Sequence, residues 1–301
     1  MEHTKNAVNE IPPTIKEKKK RTRAHEVLHR MMKNKGAVVG IVILLMIVLT
    51  ACFVDFIFDY DMDVITQNYT QILQRPSSSH WFGTDHLGRD LFARVIYGSR
   101  FSLSVGVISV IIAVIISVPL GAIAGYYGGT TDDLIMRATD IFSSIPAILM
   151  AIVIVSALGN SMFNLMLAVG ISSVPQFVRI TRAAVLTVRN QEYVESARAI
   201  GKSETYIIFK HILPNCLSPI IVQVTLRIAN AIILASSLSF LGLGVSEPSP
   251  EWGALLSAGR NYIRGYSYLT VFPGLAIMIT VLAFNLVGDA LRDAMDPKLR
   301  R

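Results

Sequence analysis

Apolar residues in this chain come in six long blocks, at 36–54, 101–126, 141–158, 162–178, 220–241 and 269–287, separated by polar intervals. A helix rises about 1.5 Å per residue, so crossing about 30 Å of hydrocarbon takes roughly 20 apolar residues. All six blocks approach that length, and Arg227 is the only charge in any of them. The pattern predicts an all-α, polytopic membrane protein with six transmembrane helices. Pro119, Pro146 and Pro175 fall in blocks two to four, where a helix kinks. Gly36 with Gly40, and Gly121 with Gly125, are spaced to let helices approach closely.

The polar intervals complete the layout. Residues 1–35 form a basic extension, with an interfacial helix expected over 22–35 on which Val27, Leu28, Met31 and Met32 share a face. The first span occupies 36–58, an external segment 59–100, a five-helix core 101–290 with a polar loop at 190–215, and a tail 291–301. The run Lys16, Lys18, Lys19, Lys20, Arg21 and Arg23 would also suit the head of a signal peptide. However, the apolar block after it is of membrane length, and Asp55 and Asp59 stand where a small-residue cleavage site belongs. The block is therefore read as a retained span.

Composition agrees with a lipid solvent: 52% of residues are hydrophobic and 16% charged. The net charge of +7 does not signal nucleic acid, because the basic residues sit in the tails and short intervals without aromatic interleaving. Their distribution gives orientation instead. With the N-terminus inside, 21 Lys and Arg fall in inner segments and 6 in outer ones. Cytoplasmic loops retain such charge, so both termini are predicted to be cytoplasmic. Cys52 and Cys216 then lie near opposite membrane faces, which excludes a disulfide between them.

The loop 190–215 predicts two short helices around one glycine. Residues 191–200 are helix-forming, Gly201 suits the left-handed closure of a helix, and Ser203 suits the cap of the next. Pro214 discourages continuation beyond Leu213. The apolar side Val194, Ala197 and Ile200 suits a cleft on another protein. Gly201-Lys202-Ser203 imitates the end of a phosphate-binding loop, but the glycine required five residues earlier is Ser196 and no strand precedes it.

This loop resembles that of the inner-membrane permeases of ABC importers, which carry E-A-A, three residues, G, and later I-x-L-P. Here the match is Glu195, Ser196, Ala197, Ile200, Gly201 and Lys202, then His211-Ile212-Leu213-Pro214. Ser196 replaces an alanine and His211 an isoleucine. The external stretch Gly83, Thr84, Asp85, Gly88, Arg89 and Asp90 resembles the G-T-D-x-x-G-R-D signature of oligopeptide, dipeptide and nickel permeases of the C type. Residues 238–261 and 289–301 look like the same family.

The resemblance implies a type I importer permease in the bacterial inner membrane, surrounded by lipid. It would be paired with a homologous permease and bound to two ATPase subunits that carry ATP and Mg, while an external solute-binding protein delivers cargo. Dipeptides or oligopeptides are the expected cargo, with nickel chelates or glutathione as alternatives. No cofactor is expected on this chain and no residue is assigned a catalytic role.

The residues leave some roles open. Asp85, Arg89 and Asp90 suit charge pairing and the capping of a short helix on the membrane surface, a structural role favoured over partner contact. His80, Asp85 and His86 do not form a known metal-ligand spacing. Arg227 and Asn230, in the fifth block, are the candidates for the translocation path, since an intramembrane charge faces water or a partner; the alternatives are an Arg227 that snorkels to the inner interface and an Asn230 that bonds a neighbouring helix. A self-sufficient carrier would need coupling carboxylates within the spans, and there are none. An intramembrane enzyme would need a nucleophile with a base, and no such pair stands out.

Overall fold

The computed structural model describes residues 23–295. The expectations for Lys16 to Arg21 and for residues 296–301 lie outside the described residues. α1 (Arg23–Lys33) stops short of the predicted boundary because Asn34 caps the next helix, its side-chain oxygen accepting from the N–H groups of Gly36 at 2.9 Å and Ala37 at 3.3 Å. The face predicted for α1 is split. Met31 is buried, whereas Leu28 and Met32 point outward.

α2 (Lys35–Phe53) is the first span, extended by a 3-10 turn at Val54–Phe56. The external segment then runs through a π turn (Tyr60–Ile65) and a 3-10 turn (Tyr69–Gln71) to α3 (Leu91–Tyr127). α3 starts well before the predicted boundary at 101. Asp90 caps α3 itself, accepting from the Ala93 N–H at 2.9 Å, so it does not start a separate surface helix.

The third span differs most from expectation. α4 (Gly129–Ser143) and α5 (Ala147–Leu158) replace one continuous helix over 141–158, and they are bent by 84° about the break between them. Pro146 accounts for the break, since a proline pushes its predecessor out of helical geometry. The 12 residues of α5 rise only about 18 Å, short of the hydrocarbon thickness. Among the described residues, five helices are long and apolar enough to cross a membrane, and the bent pair supplies the sixth crossing if counted as one.

α6 (Met162–Val188) passes through Pro175 and continues past the predicted end at 178. Its extra turns are cationic and hold α4. Arg182 forms a two-pronged pair with Asp132, both bonds at 2.5 Å, and Arg179 Nη2 donates to Asp140 Oδ1 at 2.7 Å. The polar loop folds as α7 (Glu192–Ala199) and α8 (Glu204–Ile207), followed by a π turn (Ile208–Ile212) and α9 (Leu213–Phe240). α10 (Trp252–Gly259), a 3-10 turn (Arg260–Tyr262) and α11 (Tyr268–Met295) complete the described chain.

The main core lies where α3, α5, α6 and α9 meet, around Val105, Leu165, Val169, Phe177 and Leu238. Close approach of α3 and α6 depends on Gly121, where an added Cβ would stand 2.7 Å from the Val178 carbonyl oxygen. α2 approaches α11 through Gly40 in the same way, 3.0 Å from the Ala283 oxygen. One end of the bundle gathers the C-termini of α3 and α6 with α7 and α8. The other gathers the external segment, the start of α3, α10 and the start of α11.

Candidate coupling and translocation sites

The loop forms the two predicted helices, and Gly201 closes the first. With φ at +75°, its N–H donates to the Arg198 carbonyl at 3.0 Å, while the Lys202 N–H donates to the Ala197 carbonyl at 3.2 Å. These are the two bonds of a Schellman closure. No atom lies within 4 Å of a Cβ built on Gly201, so glycine is required there by backbone conformation alone. Ser203 caps α8 by accepting from the Tyr206 N–H at 3.4 Å. Gly201-Lys202-Ser203 is thus a helix stop followed by a helix start.

Two features of the loop correct the expectation. Val194 and Ala197 do not face outward: both are buried against Val185, Ile207, Ile212 and Ile220 of the same chain. Ile200 alone of that predicted side is exposed, at 73%, beside exposed Glu195, Ser196 and Lys202. Pro214 does not end the helix either. It falls in the first turn of α9, where a missing N–H is tolerated, and α8 runs through the π turn into span five.

Sequence reading missed how the loop is attached. Arg198 Nη2 donates to the Tyr126 hydroxyl at 3.2 Å, with its guanidinium 5.6 Å from the ring centroid. Arg189 Nη1 donates to the Gly125 carbonyl at 2.9 Å. Both arginines had been absorbed into the general positive charge of the inner face. Only the turn of the chain after α6 shows that they reach the end of α3.

At the opposite end five of the six signature residues form one buried lock, and the half-buried Asp90 caps α3 beside it. Asp85 Oδ1 accepts from the N–H groups of Leu87 at 2.8 Å and Arg89 at 3.0 Å, while its Oδ2 takes Arg89 Nε at 2.6 Å. Arg94 Nε lies 3.7 Å from the same oxygen. Arg89 also reaches Glu247 at 3.3 Å, and Arg94 donates to the carbonyls of Val64 at 2.8 Å and Pro248 at 3.2 Å. The Thr84 hydroxyl donates to the Gln71 carbonyl and accepts from the Gln74 N–H at 2.8 Å. Gly83 and Gly88 both have positive φ, and a Cβ on Gly88 would stand 1.8 Å from the Asn68 oxygen.

The lock therefore ties the external segment to α3 and to the turn before α10. Glu247 and Glu251, neither of which the sequence singled out, complete it. Glu251 is buried and caps α10 through the N–H groups of Gly253 and Ala254, both at 2.9 Å. Trp252 Nε1 donates to the Val95 carbonyl at 2.9 Å. His80 bonds Asp90 at 2.7 Å and His86 lies 3.7 Å from Glu247, so these histidines and Asp85 serve three separate pairings.

In span five, Arg227 is half-buried, and its Nε has no hydrogen-bond partner among the described residues. Asn230 is exposed and turns its amide back to the Leu226 carbonyl at 3.0 Å. It belongs to a strip of α9, Gln223, Leu226, Asn230, Ile233 and Ser237, that remains at least partly exposed along the helix. α6 with α5 flanks the strip on one side and α11 on the other. Open grooves of about 410 Å³ and 450 Å³ lie along it toward its two ends.

Residues 117–301 match the family described as binding-protein-dependent transport system inner membrane component, and residues 22–76 match the N-terminal TM domain of oligopeptide transport permease C. A glutathione transport system permease protein of Pectobacterium atrosepticum is 43% identical over 288 residues, covering 96% of this chain and 95% of that protein. A dipeptide transport system permease protein of Alkalihalophilus pseudofirmus is 46% identical over 275 residues, covering 91% and 90%. Among solved structures, the inward-facing MetNI methionine ABC transporter matches with a TM-score of 0.55 at 18% identity, over 68% of this chain and 96% of that one. That likeness establishes a shared fold. The chain belongs to the family of binding-protein-dependent transport system inner membrane components.

Proposed function

We propose that this chain is a transmembrane permease subunit of an ATP-driven importer of dipeptides or oligopeptides. The observation that carries the reading is the attached loop. It offers Glu195, Ser196, Ile200 and Lys202 outward, is tied to α3 through Arg198, and is continuous with α9 through the π turn. Force applied to such a loop by a partner reaches two spans directly. The partners are two ATPase subunits, which bind ATP and Mg and hydrolyse it, while this chain supplies the lever. A homologous permease covers the exposed strip of α9, and the path runs between the two subunits past Arg227 and Asn230. Gln223 and Asn230, polar groups at membrane depth one turn either side of Arg227, support that placement, because a central arginine facing lipid costs about 2.5–3.5 kcal/mol on insertion scales.

The excess of Lys and Arg puts both termini and the loop in the cytoplasm of a bacterial inner membrane. The signature lock then lies outside, where it stiffens the segment that a solute-binding protein would meet. Glutathione as cargo is the second reading, favoured by the near full-length match to a glutathione permease. Transport in proteoliposomes holding the whole complex tests both readings. ATP-dependent uptake of dialanine is expected, and preferential uptake of glutathione would select the second reading. Uptake by this subunit alone without ATP would overturn both.

A further inference from the structure

Among the described residues, Arg227 has no counter-charge. No Asp or Glu occurs anywhere in 205–246, and none occurs in α5, in α6, or in α11 before Asp289. No carboxylate lies within ion-pair distance of the Arg227 guanidinium among the described residues, although every other half-buried or buried arginine just described in α3 or α6 has one or a set of carbonyl acceptors. Its Nε is buried and unpartnered. The residue sits near the middle of α9, 14 positions from Leu213 and 13 from Phe240, about 20 Å from either end by helical rise. One turn away on the open strip stand Gln223 and Asn230, neutral groups able to donate hydrogen bonds.

An unpaired guanidinium held at that depth is an anion site awaiting its anion. From this we infer that Arg227 receives the carboxylate of the cargo, with Gln223 and Asn230 beside it as neutral donors. Arginine suits the task because its planar fork takes both oxygens of a carboxylate and stays charged when dehydrated. A single site on one subunit accepts any peptide chain that ends in a carboxylate, whatever its side chains. The inference rests on the strip lining the path, and the test separates the two ideas.

The test uses the whole complex in proteoliposomes, with Cys52→Ser, Cys216→Ala and Asn230→Cys. Asn230 lies one turn from Arg227 on the same helix, with Cβ atoms about 5–6 Å apart. Thiol reagents of matched size, one anionic and one cationic, are applied from the water phase. The anionic reagent is expected to react about ten-fold faster, the preference surviving Arg227→Lys and vanishing in Arg227→Gln. Millimolar dialanine should slow the anionic reagent, while dialaninamide, lacking the carboxylate, should not. Size-exclusion chromatography shows whether each variant complex is assembled. No labelling by either reagent in an assembled complex would overturn the path itself. Labelling without charge preference, or equal protection by dialanine and dialaninamide, would overturn the carboxylate site and leave the path standing; the first of these is the result expected if a partner subunit's acid already neutralises Arg227.

Discussion

Asp85→Asn tests whether the external lock is held together by charge. Asp85 is 5% exposed, and the two arginines facing it, Arg89 and Arg94, are 2% and 1% exposed. Asparagine keeps the shape and one acceptor oxygen, so the bonds from the Leu87 and Arg89 N–H groups survive in outline. The second oxygen becomes an amide donor directed at Arg89 Nε, 2.6 Å away in the native lock, and the carboxylate charge disappears. Arg89 then retains only Glu247 at 3.3 Å, a carboxylate that is partly in water, and Arg94 retains two carbonyls. Removing one partner of a buried pair costs about 3–5 kcal/mol, because the remaining charge stays buried without compensation.

At about 1.6 °C per kcal/mol for a chain of 301 residues, the unfolding midpoint should fall by about 5 °C at the least. Thermal unfolding in lipid nanodiscs, followed by the fluorescence of Trp81 and Trp252, reads this directly, since Trp252 is bonded to α3 beside the lock. Asp61→Asn, an exposed acid on the same segment, is the control. If the two variants melt within about 2 °C of each other, the lock is not held by charge and the argument fails.

Three further outcomes follow from the geometry. Gly88→Ala should open the external segment to protease, since its Cβ would stand 1.8 Å from the Asn68 oxygen at φ +77°, whereas Gly129→Ala, with open space around it, should cost only about 1 kcal/mol. Tyr126→Phe keeps the ring beneath Arg198 but removes the hydroxyl bond, so ATP consumed per solute imported should rise with assembly unchanged, and an unaltered ratio would show that this tie carries no motion. Deleting one residue from the π turn Ile208–Ile212 should turn α7 and α8 by about 100° about the axis of α9 and abolish uptake, and a deletion variant that transports normally would show that the register does not matter.

The spans were legible because hydrocarbon demands long apolar blocks, and little else satisfies that demand. Where the block pattern misled, a polar neighbour had taken over. Residues 141–158 read as one span, yet Pro146 and the attachment of α4 to Arg179 and Arg182 divide it. Local geometry at Gly201 and Ser203 was legible because a Schellman closure and a helix cap each need one residue type at one place. The direction of the apolar side of α7 was not. Val194 and Ala197 suit a partner's cleft as well as their own bundle, and only the path of the chain through α8 decides that they turn inward. Glu247 and Glu251 escaped notice for the same reason: Arg89 lies 158 residues from Glu247, and Ser102, whose hydroxyl donates to Glu251, lies 149 residues from it.

α3 receives both devices, and this bears on how one chain could link its two faces. Its N-terminal end is fixed by Asp90, by Arg94, and by Gly98, where an added Cβ would stand 2.2 Å from the Pro250 oxygen. Its C-terminal end takes the loop at Gly125 and Tyr126. The helix between is 37 residues long and packs along α6 through glycine contacts that leave little room for sliding. On the role proposed for the loop, a push there would move α3 as a rod, apart from any bend at Pro119, and would displace the outer lock with it. The bent α4–α5 pair cannot carry such a push, because its helix direction changes by 84° midway. It is held to α6 by ion pairs at the loop end, so on the same proposal it would follow α6 and not drive it.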